Sequence, residues 1–358
     1  MKPASIGARI ASEYDAERLC LAVPGSHSAL QILAGARKEG LCSILLVRED
    51  LAPLYRRFPH LYTEMITLKS WSDIASPGLI EYLREKNAVL VPHAGLVEYV
   101  GVDRAEALEL PIHGNRLLFR IEADQHAKMR LLRSAGIPTP REYTSPEEVD
   151  RLVIVKMPGA KGGRGYFLAR SPEEVRRGLR EAISRGLIRD PREAIIQEYV
   201  IGVPAYYHYY ASRLYRRVEL TGMDVRYESN VDGLRRLPPD YAAGVEPSFV
   251  VVGNQPMVLR ERLLMKVLEY GDAFAREVEA VTGLPMIGPF SLESIVRDDL
   301  EIIVFEFSGR IVAGTNVYTG TGSPYTWLYW DEPMWVGRRI AREIREAAMQ
   351  GRLGDIVT

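Results

Sequence analysis

Cysteine is almost absent from this chain. Cys20 and Cys42 are the only two in 358 residues, and no Cys/His spacing around them resembles a metal cage. Neither charge is in surplus: 46 Lys plus Arg face 47 Asp plus Glu, a formal net charge of −1. No basic field therefore exists to hold a nucleic-acid backbone, and no Lys/Arg run is dense enough to act as an arm. Long apolar runs are missing too. Stretches such as 41–47 are far too short to cross a bilayer, and Glu13, Asp15 and Glu17 precede any signal-like core. The first strand-like run has no Gly-x-Gly-x-x-Gly, which argues against a nicotinamide-dependent dehydrogenase. What remains is a cytoplasmic protein for small ligands, with no nucleic-acid or membrane partner, long enough for two or three lobes.

The apolar pattern changes along the chain. Residues 19–23, 43–47, 65–68 and 88–91 read as buried strands, with helical spacing between them at 28–38 and at 77–86, where Ser76 is positioned as a cap. Such alternation predicts a parallel sheet wrapped by helices, with ligands beyond the carboxyl ends of its strands. Cys20 and Cys42 fall in the first two strands. Buried thiols are the favoured reading over a redox pair, and a disulfide stays open if those strands are neighbours. From about residue 120 the chain reads as α+β: a helix at 124–135, strands at 153–156 and 166–169, a helix at 172–184 and a strand at 194–200. Strands at 205–210 and 218–227, a helix at 260–281, a hairpin of 286–296 with 301–307 and an amphipathic helix at 336–349 complete it. The fold class is thus α/β followed by α+β.

Five places carry chemistry. Gly159 to Gly165 contains four glycines with Lys161 and Arg164, and Gly162 and Gly163 leave backbone N–H groups free to approach anionic oxygens. It is not a P-loop, because the Gly-Lys-Ser/Thr ending and the following helix are missing. Lys156 on the entering strand can reach the same phosphates; a solvated hairpin tip is the plain alternative. Gln197, Glu198, Tyr199 and Val200 suit a hinge against an adenine edge, with Glu198 accepting from a ribose hydroxyl, or else an ordinary strand end. In the 286–307 hairpin, taking Val296 and Glu301 to flank the turn sets Glu293 opposite Val304 and Glu306 diagonal to Glu293 on one face. Leu292, Val296, Ile303, Phe305 and Phe307 then form a core-like opposite face. Two such carboxylates suit a Mg²⁺ shared with nucleotide phosphates. A slip of one residue would separate them, and a solvated face is the alternative. His27, between Ser26 and Ser28 before a helix start, fits a phosphate or carboxylate, although the serines fit simple caps equally. Arg310 and Asn316 follow the hairpin; Arg310 can fork onto an anion or form a surface ion pair. Residues 206–210 would alternate faces, suiting either a flat ligand or a core.

Together these segments resemble the archaeal formate-dependent ligases of the ATP-grasp superfamily, the PurP family. Those enzymes make 5-formaminoimidazole-4-carboxamide ribonucleotide (FAICAR) from its amino precursor AICAR. The resemblance rests on 26–32 (Ser-His-Ser-Ala-Leu-Gln-Ile), 159–167, 197–204, 226–232, 252–254 with 259–261, 288–290, 310–316 and 322–328, in family order over nearly the whole chain. It implies an N-terminal parallel-sheet, Rossmann-like domain at 1–122, a small ATP-grasp lid at 123–202 and a catalytic subdomain with the metal at 203–358. It further implies AICAR contacts at His27, Gly95 and Asn254. ATP would be held by Lys156, Lys161, Gly162, Gly163, Gln197, Glu198, Tyr199, Val200 and Glu228. Glu293 and Glu306 would bind Mg²⁺ or Mn²⁺, with Arg310 and Asn316 supporting phosphate or catalysis, in a homo-oligomer. The implied reaction consumes AICAR, formate and ATP through formyl phosphate, in purine (IMP) biosynthesis. Two departures stand out. Ala94-Gly95 occupies the place of a Gly-Ser pair whose serine touches AICAR, and Gly309 that of an alanine. The nearest rival is a related ligase joining another carboxylate to another amine. A nucleotide-binding sensor is the rival from a different class, and it would have no use for the Glu293/Glu306 pair.

Overall fold

Four parallel strands open the fold: β1 Cys20–Pro24, β2 Cys42–Arg48, β3 Glu64–Leu68 and β4 Ala88–Leu90, in the order β3-β2-β1-β4. The computed structural model describes residues 6–93, 95–161, 164–245 and 247–358, and for 158–161 and 164 the backbone alone. Every residue of β1 and the central five of β2 are buried, as an apolar run needs when helices cover both faces. The helix Ala29–Lys38 leaves β1 and packs against Val336–Met349. Gly35 and Gly337 meet at that crossing, where a Cβ on Gly35 would lie 2.4 Å from the Gly337 backbone. Arg338, Arg342 and Arg345 all pair with Glu39 and tie the two helices together.

The expectation of free thiols is corrected here. The parallel register sets Cys20 opposite Cys42 with Cα atoms 4.3 Å apart, and the two sulfurs are bonded.

A second, antiparallel sheet has the order β5-β8-β6-β7 and consists of β5 Glu142–Tyr143, β6 Val153–Lys161, β7 Arg164–Ala169 and β8 Ile195–Glu198. Its helix Pro172–Ser184 turns Val175, Leu179 and Ala182 onto Val153 and Val155. The third sheet, ordered β11-β10-β9-β12-β13, is built from β9 Val203–Ser212, β10 Arg217–Glu228, β11 Val251–Pro256, β12 Gly288–Val296 and β13 Ile302–Ser308. One face receives the helix Glu261–Thr282, with Tyr207 and Tyr209 among Val267, Phe274 and Leu292. The period of two sends Tyr206 and His208 to the other face. Among the described residues no helix is long and apolar enough to cross a membrane.

The β12–β13 hairpin departs from the expected register. Val296 pairs with Ile302 and Ser294 with Val304, and a bulge between Glu293 and Ser294 then sets Glu293 directly opposite Glu306. The extra residue is Phe305. A bulge places two residues against one, so Phe305 joins Glu306 in lining a cavity instead of entering the core with Phe307. The carboxylates thus share a face, as anticipated, but through a bulge and not a diagonal.

Candidate active site

Between the second and third sheets lies a cavity of about 460 Å³. β10 contributes Arg226 and Glu228, β12 Glu293, β13 Phe305 and Glu306, β9 Tyr206, β6 Lys156 and β8 Gln197 and Glu198; Tyr199 and Val200 follow on its rim. A larger hollow of about 910 Å³ beside Tyr14, Arg84 and Arg104 contains none of the predicted residues.

Two ion pairs line the 460 Å³ cavity. Arg226 grips Glu293 with two bonds of 2.8 and 2.9 Å, and its guanidinium lies 3.8 Å over the Tyr206 ring. Lys128, from the helix Gln125–Ser134, pairs with Glu306. Lys156 Nζ donates to Gln197 Oε1 at 3.0 Å and stands over Phe305. Burial pushes the Lys156 pKa down, with Glu306 the main influence opposing it. Burial likewise pushes the Glu228 carboxyl up to about 7, against the pull of Arg226. Among the described residues no three His, Cys, Asp or Glu gather as a metal cage. The facing carboxylates therefore suit a hard cation that draws its other ligands from phosphate and water.

The other predicted residues fall as follows. Glu198 is engaged, accepting from Arg297 at 2.6 Å. Arg297 lies in the β12–β13 turn, and Glu198 still lines the cavity. Arg310 pairs with Glu122 at 2.8 Å. Asn316 lies on the short 3-10 turn Ala313–Tyr318 and donates to the His27 carbonyl at 2.6 Å, while its own oxygen accepts from Gln31 at 2.9 Å. It shapes the loop that carries His27. The His27 ring, 2.6 Å from Ser28 Oγ, faces His93 with centroids 5.2 Å apart. Gly95 spends its N–H on His93 Nδ1 at 2.9 Å. His93 is buried, which pushes its pKa down to about 3. Asn254 sits opposite Arg226 on β11. Lys161 has a described backbone only, and Gly162, Gly163 and Ala94 lie outside the described residues.

Sequence reasoning gave no role to Lys128 or Arg226, and it set Phe305 in the core instead of the cavity. Lys128 had a signal, since a lysine sat within the buried stripe Met129, Leu131 and Leu132. Arg226 had one too, at the strand period between Asp224 and Glu228.

Known proteins share this architecture. A family described as a domain of unknown function (DUF1297) matches residues 174–358, and one described as a protein of unknown function (DUF1246) matches 21–143. The 5-formaminoimidazole-4-carboxamide-1-(beta)-D-ribofuranosyl 5'-monophosphate synthetase of Ignicoccus hospitalis is 56% identical over 97% of this chain and 98% of its own. The protein of the same name from Pyrobaculum neutrophilum is 54% identical over 96% and 95%. The crystal structure of an IMP biosynthesis protein PurP from Thermococcus kodakaraensis superposes with a TM-score of 0.75 at 30% identity, over 94% of this chain and 100% of that one. An ADP complex of N5-carboxyaminoimidazole ribonucleotide synthetase, at 15% identity and a TM-score of 0.66 over 92% of this chain and 77% of that one, shares the fold. This chain has the ATP-grasp fold and belongs to the family of 5-formaminoimidazole-4-carboxamide-1-(beta)-D-ribofuranosyl 5'-monophosphate synthetases.

Proposed function

We propose that this ligase joins formate to the amine of AICAR at the expense of ATP, giving FAICAR, ADP and phosphate. The observation that carries the reading is the facing pair Glu293 and Glu306, set in one cavity with Lys156, Arg226 and Glu228. A carboxylate oxygen of formate attacks the γ-phosphorus, the bond to ADP breaks, and formyl phosphate forms. The AICAR nitrogen then attacks the formyl carbon, phosphate leaves, and the amine proton passes to the departing phosphate. Activation is needed because that amine is conjugated to an electron-poor ring and free formate is a poor acyl donor.

Lys156 and Lys128 bring positive charge to the transferring phosphoryl group, and the cavity walls exclude water that would hydrolyse formyl phosphate. Glu293 and Glu306 would hold a divalent ion, Mg²⁺ or Mn²⁺, which neutralises triphosphate charge when bound. Arg226 and Lys128 balance those two carboxylates in its absence. Glu228 and the rim at Tyr199 and Val200 would receive the nucleoside, and His27 and Asn254 the AICAR.

ADP release should require both formate and AICAR. Release that ignores either one would refute the assignment. A related ligase with another amine substrate gains support from Gly95, where a Cβ would fall 2.7 Å from the His93 ring, so this loop does not accept a serine as it stands. Full activity with a different amine and none with AICAR would select that reading.

A further inference from the structure

Three side chains on neighbouring strands of the third sheet form a buried hydrogen-bonded chain that ends at Asn254. Ser291 Oγ lies 2.8 Å from His208 Nδ1, and His208 Nε2 lies 2.7 Å from Asp224 Oδ1. Asn254 Nδ2 donates to Asp224 Oδ2 at 2.6 Å. Ser291, His208 and Asp224 are 2%, 1% and 0% exposed, whereas Asn254 is half-buried on the edge strand β11. The Ser-His-Asp order resembles a nucleophile relay, but its serine is the buried end. The end open to ligands is an amide. This is a support and not a hydrolytic site.

The support fixes which atom of Asn254 faces outward. Burial opposes ionisation of Asp224, yet hydrogen bonds from His208 and Asn254 outweigh it and keep the carboxyl below its usual pKa. An ionised carboxylate only accepts, so Asn254 can meet it through the amide nitrogen alone. Asn254 Oδ1 is thereby turned away from Asp224. Gly314 closes the arrangement: a Cβ there would fall 2.3 Å from Asp224 Oδ1 and 2.9 Å from His208 Nε2. The turn bearing Gly314 thus packs against the carboxylate and the imidazole where any side chain would collide, and its Asn316 holds the His27 loop. One segment braces both proposed AICAR contacts.

We propose that Asp224 is a positioning residue for the amine substrate: it holds the Asn254 amide nitrogen so that Oδ1 is presented as a fixed acceptor for a substrate N–H. This rests on the reading that Asn254 meets AICAR. Either the ring amine or the carboxamide of AICAR can supply that N–H. A substrate with an oxygen lone pair in the same place sets acceptor against acceptor and is rejected.

The test uses Asn254→Ala and Asp224→Asn in the full chain, reading KM for AICAR, KM for ATP and Tm. In Asp224→Asn the new amide can donate to Asn254 Oδ1 and turn it inward. The KM for AICAR should then rise about tenfold or more, with the ATP KM unchanged. If Asn254→Ala leaves AICAR binding intact, the contact and the proposal both fall. If Asn254→Ala weakens AICAR while Asp224→Asn does not, the positioning role alone is refuted. An equal loss for ATP in the folded variant would make Asp224 a general structural residue and also overturn it. Should Asp224→Asn not fold, the wild type decides through two analogues, AICAR without its ring amine and AICAR with a carboxylate for its carboxamide. At least one should bind about tenfold more weakly than AICAR, and which one identifies the donor; binding of both as tightly as AICAR overturns the proposal.

Discussion

Glu306→Gln keeps the size of the side chain and removes one charge from a balanced set, in which Arg226 faces Glu293 and Lys128 faces Glu306. The Lys128 side chain is 7% exposed, so its ammonium would be left in the protein opposite a neutral amide. Lys156, already lowered in pKa by burial, would lose the carboxylate that chiefly holds it up. Stripping one partner from a buried ion pair costs about 3–5 kcal/mol. The Glu306 side chain keeps 22% exposure and an amide oxygen still accepts a bond, so roughly 2 kcal/mol is the expected cost here. That corresponds to a fall in Tm of about 3 °C for a chain of this length. ADP release should drop by about 10³-fold, since a group aimed at transition-state charge is lost. Adding Lys128→Met removes the stranded charge, so the double variant should regain most of the Tm and stay inactive. Scanning calorimetry with a coupled ADP assay separates the two effects. Near-normal turnover in either variant would refute the metal role, and a double variant no more stable than the single would refute the ion-pair argument.

Two further outcomes follow from buried groups. The Cys20–Cys42 bond links residues 22 apart in sequence, and loop-closure entropy assigns it about 3 kcal/mol. Cys20→Ser with Cys42→Ser should lower Tm, and a reductant should bring the wild type to the same value; a Tm indifferent to both would rule the bond out. Glu228, raised by burial from 4.5 to about 7, contributes stability that is complete below its unfolded pKa and lost as pH rises through the folded one. Glu228→Gln lacks that dependence, so the variant's Tm relative to wild type should climb between about pH 5 and about pH 8. A difference that stays flat with pH would contradict a buried, proton-binding carboxyl.

The elements were legible where one period ruled. The helices Pro172–Ser184 and Val336–Met349 have the bounds that their apolar spacing gives, and the parallel strands lie within a residue or two of the apolar runs. The hairpin register was not legible. Its bulge turns Phe305 to the face where Lys156 stands over it, a contact between residues far apart in sequence. The pairings of Glu198 and Arg310 were hidden for the same reason, as Arg297 and Glu122 reach them only once the sheets assemble. Cys20 and Cys42 could not be joined before the strand order was known, because neighbouring parallel strands need not be adjacent in that order. The common face of Glu293 and Glu306 was anticipated despite the misjudged register, since it needed only matching strand parity.

Strand β10 suggests how that face can order the two nucleotide substrates. Asp224, Arg226 and Glu228 occupy alternate positions, so all three side chains leave the sheet on one side. At about 3.4 Å per residue they span roughly 13 Å. On the proposed function Glu228 marks the nucleoside end, Arg226 stands beside the carboxylate that would hold the metal, and Asp224 supports the amide proposed to meet AICAR. The phosphoryl group would then pass near the middle of this row, between its donor and the nitrogen that finally receives the formyl carbon. A one-residue insertion within 224–228 would turn one end of the row to the core face while leaving the other in place. The two half-sites would then no longer share a wall, even with every functional side chain still present. The working distance between the substrates is therefore held by strand parity, and the bulge at Phe305 is what lets β13 bring Glu306 to the same row.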